Sequence, residues 1–227
     1  MPTIFFDLDG TLYPGENGMW PEIKRRIGTY MTERMGIPPE EAARLREHYL
    51  VTYGTTLRGL QRHHHIDTDD FLAYVHDLPL ERYLTPDPAL REALLRLAAP
   101  RWIFTNSDAA HARRVLRFLR LEDCFEGIID VRSLGWLAKP EAGAYQRARA
   151  LAGNPPPETC VLVDDSPRNT AGARRQGWYT VLIGPRPDPE AADEHAFSLR
   201  EWVEEWGRRN ADRRPLTIDR RPLTTDG

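Results

Sequence analysis

Acidic residues follow two apolar runs that lie far apart in this chain of 227 residues. Ile4-Phe5-Phe6 leads into Asp7 and Asp9, and Cys160-Val161-Leu162-Val163 leads into Asp164-Asp165. Each pattern is typical of a buried strand that opens into a loop. Because the carboxyl ends of parallel strands share one edge of a sheet, where α/β folds bind ligands, we expect these four carboxylates to lie together. They would repel one another without a cation, so the pattern predicts a divalent-metal site that faces an oxygen-rich substrate.

Two further groups complete the predicted edge. Thr105-Asn106 follows the apolar run Trp102-Ile103-Phe104 and offers a hydroxyl and an amide where a phosphate could bind. Lys139-Pro140 follows the run Ile128-Ile129 after a loop and supplies a fixed positive charge.

Apolar runs that alternate with stretches of helical spacing predict a doubly wound, mostly parallel α/β sheet. The last strand in this prediction is 180–183. Ser107 is expected to cap a helix that continues through Arg120. Ser166 and Ser198 are expected to begin two later helices.

The first crossover is far longer than a strand–helix–strand unit needs, since residues 14–101 separate the first two strands. Apolar spacing and first-turn acids predict helices from residue 20, over 39–53 and from Thr68. A further helix over 88–98 leads back into the sheet.

This pattern predicts a core formed by residues 1–13 and 88–206 and an α-helical cap formed by 14–87. A helical insertion directly after a loop that could do chemistry is well placed to act as a lid. The segment 207–227 carries the repeat Arg-Arg-Pro-Leu-Thr and is expected to be a flexible tail of undetermined role.

Composition narrows the class of protein. The net charge of −3 is nearly balanced and no basic stripe occurs, so we expect no nucleic-acid polymer as a partner. No apolar run is long enough to cross a bilayer, so no membrane is expected either. The two cysteines, Cys124 and Cys160, and the lack of a signal peptide favour a reduced cytoplasm. The pattern leaves open whether the protein is a monomer or a homodimer.

The chain resembles the haloacid dehalogenase superfamily through four ordered motifs. These are Asp7-Leu8-Asp9-Gly10-Thr11, Thr105-Asn106, Lys139-Pro140 and Asp164-Asp165. The resemblance implies a Rossmann-like core with a helical cap after the first strand. It also implies that Asp7 attacks phosphorus to form an aspartyl phosphate, and that Asp9 protonates the leaving oxygen and then activates water.

The same resemblance implies Mg²⁺ as the cofactor. Its ligands would be the Asp7 carboxylate, the Asp9 backbone carbonyl and Asp165, with Asp164 in direct or water-mediated contact. Lys139 and Thr105 are implied to hold the transferred phosphoryl group. The dehalogenases of the superfamily lack an acid at the position of Asp9, because a halide leaves without a proton. We therefore expect a phosphatase acting on a small phosphorylated metabolite.

A narrower resemblance lies in the insertion. The run Tyr53-Gly54-Thr55-Thr56-Leu57-Arg58-Gly59-Leu60, with His63-His64 and Val75-His76-Asp77, is similar to the pyrimidine 5′-nucleotidase branch. Many members of that branch carry Asn where this chain has Gly10, a change that leaves every catalytic group in place. The likeness implies pyrimidine nucleoside monophosphates such as UMP and CMP as substrates.

Four residues of the insertion are candidates for substrate binding: Tyr53, Thr55, Thr56 and Arg58. Cap loops commonly hold residues that determine substrate specificity, but the same residue types also form ordinary turns. Structural roles therefore stay open for these four residues. The run His63-His64-His65 is expected to lie on the surface, since consecutive side chains point in different directions and rarely chelate one ion. Whether it contacts substrate stays open.

Two other functions remain at this point. One is a broad or sugar-phosphate phosphatase with the same machinery, because small changes in a cap can reassign the substrate. The other is a non-catalytic phosphate-binding module. Asp7, Asp9, Lys139 and Asp165 argue against the module, since binding alone does not require a nucleophile together with an acid.

Overall fold

A computed structural model of the protein describes residues 1–210, and its centre is one parallel β-sheet. The strands are β1 (Thr3–Phe6), β2 (Arg101–Phe104), β3 (Gly127–Ile129), β4 (Cys160–Asp164), β5 (Tyr179–Ile183) and β6 (Glu194–Ala196). Their spatial order is β3-β2-β1-β4-β5-β6, and every neighbouring pair is parallel. This architecture confirms the predicted Rossmann-like α/β fold.

The central strand β1 is buried on both faces, as its continuous apolar run predicts. Phe6 points to one face and packs edge-on against Trp202, with ring centroids 6.2 Å apart. Phe5 points to the other face, where its ring centroid lies 4.6 Å from that of Trp178. Aromatic side chains therefore bury β1 on both faces of the sheet.

The described residues form nine α-helices. They are α1 (Met19–Glu33), α2 (Pro39–Tyr53), α3 (Thr56–His63), α4 (Thr68–His76), α5 (Pro88–Arg96), α6 (Ala109–Leu119), α7 (Ala142–Leu151), α8 (Pro167–Arg175) and α9 (Leu199–Asn210). Four of them, α1 to α4, lie between β1 and α5 and pack on one another.

Local signals set most of these boundaries. Helix α2 begins at Pro39 and ends before Gly54, whose φ of 81° closes the helix in the left-handed region. In α9, the Ser198 hydroxyl accepts a hydrogen bond from the Glu201 amide, as predicted. The predicted capping of α6 by Ser107 is wrong, because Asp108 occupies the cap and accepts the His111 amide.

Three elements were not predicted. Helix α3 begins at Thr56, in a stretch for which a polar turn was one interpretation. The Thr55 hydroxyl caps this helix by accepting a hydrogen bond from the Arg58 amide. Helix α7 and strand β6 were also missed, and β6 is three half-buried residues, Glu194–Ala196, without an apolar run. Helix α5 ends at Arg96, two residues before the predicted end.

The last helix, α9, continues to Asn210, four residues into the segment predicted to be a tail. The rest of that segment, 211–227, lies outside the described residues. Within residues 1–210, no helix combines the length and the apolar character needed to span a membrane.

Candidate active site

Lys139 joins the first and fourth strands at the carboxyl edge of the sheet. Its buried ammonium donates to Asp7 Oδ1 at 2.8 Å, to Asp164 Oδ2 at 2.6 Å and to the Phe104 carbonyl at 2.8 Å. Burial alone would lower the pKa of Lys139, but the charges of Asp164 and Asp7 raise it well above its usual range. The ammonium therefore stays charged and holds both carboxylates in place.

Asp164 is fully buried, and both of its oxygens accept hydrogen bonds. Besides Lys139, its donors are the Ser166 amide at 2.9 Å and the Asn169 side-chain amide at 3.0 Å. Asp165, the next residue, is exposed to the cavity beside it. Asp164 therefore positions Lys139, and Asp165 remains available to bind a ligand.

The donor set fits a divalent cation. Asp7, Asp164 and Asp165 each offer an oxygen, and these oxygens lie within 4.8 Å of one another. Three carboxylates against the single charge of Lys139 leave an excess of two negative charges. Removal of bulk water, together with the charge of Asp164, raises the pKa of Asp165 to about 7, although Lys139 opposes this shift. Burial likewise raises the pKa of Asp7, with Lys139 in opposition.

Gly10 contributes to the same arrangement. Its φ is 91°, and a Cβ at this position would lie 2.4 Å from Asp165 Oδ2. The missing side chain allows Asp165 to approach the loop after β1 and completes an oxygen-rich site of the kind that Mg²⁺ prefers.

Asp9 is held by three donors. Its Oδ1 accepts from the Tyr13 hydroxyl and lies 2.9 Å from His111 Nε2, and its Oδ2 accepts from the Ser107 hydroxyl at 2.8 Å. Burial by itself would raise the pKa of Asp9. The charge and hydrogen bond of His111, with the other two donors, lower it well below its usual range. Asp9 is therefore a carboxylate when the substrate is absent.

Thr105 and Asn106 lie where predicted, at the end of β2. The Thr105 hydroxyl accepts the Ser107 amide at 3.0 Å. Asn106 makes a reciprocal pair with the Lys139 backbone: its amide donates to the carbonyl at 3.0 Å, and its oxygen accepts the amide at 2.8 Å. Asn106 therefore fixes the loop that carries Lys139, and both residues face the cavity.

A cavity of about 910 Å³ extends from these residues to the insertion. Thr55 and Thr56 line it, and Gly54 approaches the Lys139 carbonyl so closely that a Cβ would lie 3.1 Å from it. The other two candidates are engaged elsewhere. Arg58 pairs with Glu141 and donates to the Trp136 carbonyl at 2.8 Å, and the Tyr53 hydroxyl lies 2.7 Å from His63 Nε2.

The sequence prediction missed four polar residues around Asp9: Tyr13, His76, Ser107 and His111. Two weak signals were present. Tyr13 follows Asp9 by four residues, and His111 interrupts the apolar face of α6 that Ala112 and Val115 form. Neither signal distinguishes a site residue from a core residue until the contacts are known.

Substitution of Lys139 by Met is expected to destabilise the protein by about 3–5 kcal/mol, because it leaves Asp7 and Asp164 buried without their counter-charge. The free energy of unfolding, measured by urea denaturation in chelator, tests this. Lys24→Met is the matched control, because Lys24 is the only other lysine and is half-buried. A loss equal to that of the control would contradict the buried ion pair.

Comparisons with known proteins assign the chain to a family. The model of the haloacid dehalogenase-like hydrolase family matches residues 1–177. The chain therefore belongs to the haloacid dehalogenase-like hydrolases, as its four motifs predicted.

Two curated relatives are similar to parts of the chain. Phosphate metabolism protein 8 of Saccharomyces cerevisiae is 31% identical over 195 residues, which cover 79% of this chain and 60% of the relative. Haloacid dehalogenase-like hydrolase domain-containing protein 3 of Xenopus laevis is 32% identical over 110 residues, or 45% of this chain and 43% of that protein. The chain thus spans about half the length of the curated relatives it matches.

Solved structures share the fold. A HAD phosphatase from Thermococcus onnurineus superimposes with a TM-score of 0.62 at 20% identity, over 91% of this chain and 98% of the other. A putative β-phosphoglucomutase from Thermotoga maritima gives a TM-score of 0.60 at 19% identity, over 92% and 100% of the two chains. At these identities the likeness concerns the fold alone.

Proposed function

We propose that this hydrolase is a Mg²⁺-dependent phosphatase that cleaves small phosphomonoesters through a phosphorylated Asp7. The observation that carries the proposal is the placement of Asp7. One of its oxygens accepts from Lys139 at 2.8 Å, and the residue lines the same cavity as Asp9 and Asp165. A nucleophile, an acid and a free carboxylate ligand therefore meet at one point.

In the first half of the reaction, the Asp7 carboxylate attacks phosphorus and the bond from phosphorus to the ester oxygen breaks. The leaving oxygen takes a proton from Asp9. Asp9 must carry that proton beforehand, and a phosphate dianion beside it favours the protonated form, because like charges raise the pKa of a carboxyl group. Lys139 stays paired with Asp7 and orients the attacking carboxylate.

In the second half, Asp9 is a carboxylate and removes a proton from water. The water oxygen bonds to phosphorus, the bond from phosphorus to Asp7 breaks, and inorganic phosphate leaves. The three donors to Asp9 hold it in position for both transfers. Splitting one difficult displacement into two is the advantage of a carboxylate nucleophile.

Mg²⁺ would be held by the Asp7 carboxylate, the Asp9 backbone carbonyl and Asp165, with Asp164 adjacent. When bound, it supplies positive charge that keeps Asp7 ionised and offsets the negative charge of the transferred group. Thr105 and Asn106 lie at the end of β2 beside the same cavity, where they would hold phosphate oxygens.

The proposed substrates are pyrimidine nucleoside 5′-monophosphates. A cavity of about 910 Å³ has room for a leaving group much larger than an alcohol, and apolar residues of α1 and α4 contribute to its walls. Thr55 and Thr56 add hydroxyl groups where a sugar or base could be recognised. The name of the yeast relative, phosphate metabolism protein 8, is consistent with phosphate release.

A substrate panel tests this specificity. We expect kcat/KM for UMP and CMP to exceed that for AMP and for hexose phosphates by at least about tenfold, because pocket contacts discriminate by this order. Phosphate release is measured for each substrate at saturating Mg²⁺. Equal values across the panel would contradict the nucleotidase assignment and favour a broad small-metabolite phosphatase.

A further inference from the structure

One residue that no motif includes bonds directly to the proposed acid. His111, near the start of α6, places Nε2 2.9 Å from Asp9 Oδ1. To donate to an ionised carboxylate, Nε2 must carry the ring proton. The contact joins the helix after β2 to the loop after β1, across 102 residues of sequence.

The surroundings of His111 are unusual for a core residue. Its side chain is fully buried, and its second ring nitrogen, Nδ1, has no hydrogen-bond partner among the described residues. A buried polar atom without a partner costs free energy, and an apolar residue of similar shape would avoid that cost. The contact with Asp9 is the only hydrogen bond that this ring makes in the described part of the chain.

A second imidazole, from the insertion, fixes the orientation of the first. The ring of His76, at the end of α4, stacks on His111 with centroids 4.2 Å apart and planes 18° from parallel. Arg114, on α6, donates to the carbonyls of His76 at 2.6 Å and Leu78 at 2.9 Å. These two hydrogen bonds join the end of α4 to α6 beside the stacked rings. His111 is therefore held between His76 and Asp9.

We propose that His111 is a positioning residue for the acid–base step: its Nε2–H holds the Asp9 carboxylate toward the leaving oxygen, and His76 keeps the imidazole in that orientation. This inference rests on the proposed phosphatase function. As the ester bond breaks, Asp9 gives its proton to the leaving oxygen and becomes a carboxylate. A donor to that carboxylate stabilises the product of the transfer and prevents the side chain from rotating away.

The test compares two leaving groups. In a reaction through a covalent intermediate, kcat/KM reports the steps up to departure of the leaving group. An alkyl phosphate needs a proton at that step, whereas 4-nitrophenyl phosphate releases a stable anion.

His111→Phe keeps an aromatic ring and the stack but removes the donor. We expect it to lower kcat/KM for the alkyl ester about 10- to 100-fold, since general acid catalysis contributes on this scale or more. For the aryl ester the loss should stay below about threefold.

Three further variants complete the design. His111→Gln places an amide donor near the position of Nε2 and should recover part of the loss on the alkyl ester. In an Asp9→Asn background, His111→Phe should have little further effect on the alkyl ester, because two residues that act together are not additive. His76→Ala, which removes the stacked ring, should lower kcat/KM for the alkyl ester more than for the aryl ester. Folding is checked by the thermal unfolding midpoint, and His111→Asn, whose amide is too short to reach Asp9, replaces any Phe variant that does not fold.

Equal losses on both esters, or no loss on either, would overturn the positioning role and leave His111 as a packing residue. Failure of the proposed function itself would show differently. In that case Asp7→Asn would retain phosphatase activity, or the unchanged protein would release no phosphate from either ester.

Discussion

Replacement of Asp7 by Asn is expected to lower kcat for phosphate release by about 10⁴- to 10⁶-fold, the range seen when a covalent nucleophile is removed. An amide has the shape of the carboxylate but cannot attack phosphorus as an anion. The fold should persist, because Asn still offers an oxygen to Lys139, and Asp164 continues to pair with it at 2.6 Å. The thermal unfolding midpoint and the rate of phosphate release are measured on the same sample.

Asp77→Asn is a suitable control for this experiment, since Asp77 is exposed and outside the cavity. It should leave kcat unchanged. Activity of Asp7→Asn within about tenfold of the unchanged protein would contradict a covalent mechanism, because no neighbouring group could replace the nucleophile at that efficiency.

Removal of divalent metal should have the second-largest effect. The site holds three carboxylates against one lysine, and the pKa of Asp165 is raised to about 7. We expect excess EDTA to lower the rate at least about 10³-fold, because metal-ion charge stabilisation contributes several kcal/mol. Dialysis into Mg²⁺ should restore the activity in full. Turnover that persists in chelator would rule out the assigned cofactor.

Asp165→Asn sharpens that test. The change removes a charge that no Lys139 contact uses, so the fold should tolerate it. The Mg²⁺ concentration for half-maximal activity should rise by at least about tenfold. Even the loss of a residue that only supports a metal ligand lowers metal affinity by this factor. Asp77→Asn again serves as the control. An unchanged Mg²⁺ requirement would place the cation elsewhere.

The sequence was most informative where local chemistry and position agree. Apolar runs that end in acids identified β1 and β4 together with the residues that follow them, because strand periodicity and loop chemistry change at the same point. Helix α2 was also predicted within its observed bounds, Pro39–Tyr53, since proline and glycine mark its two ends.

What could not be predicted depends on contacts between distant residues. Arg58, a candidate for substrate binding, pairs with Glu141, 83 residues away, a partner that the local sequence does not indicate. Ser107 looked like a helix cap, but the backbone places Asp108 there and leaves Ser107 to bind Asp9. His111 lies in a stretch predicted to be a helix, and the local pattern does not indicate its contact with Asp9. In each case the side chain finds its partner on a distant element of the fold, which the local pattern does not contain.

Trapping the phosphorylated form of Asp7 tests the covalent mechanism. The protein is mixed with Mg²⁺ and a substrate labelled in its phosphate, quenched in acid within the first turnovers, and digested for peptide mapping. We expect label on the peptide that contains Asp7, in amounts that rise and fall with turnover, and no label in Asp7→Asn. Rapid phosphate release with no label on that peptide at any time would contradict the covalent mechanism.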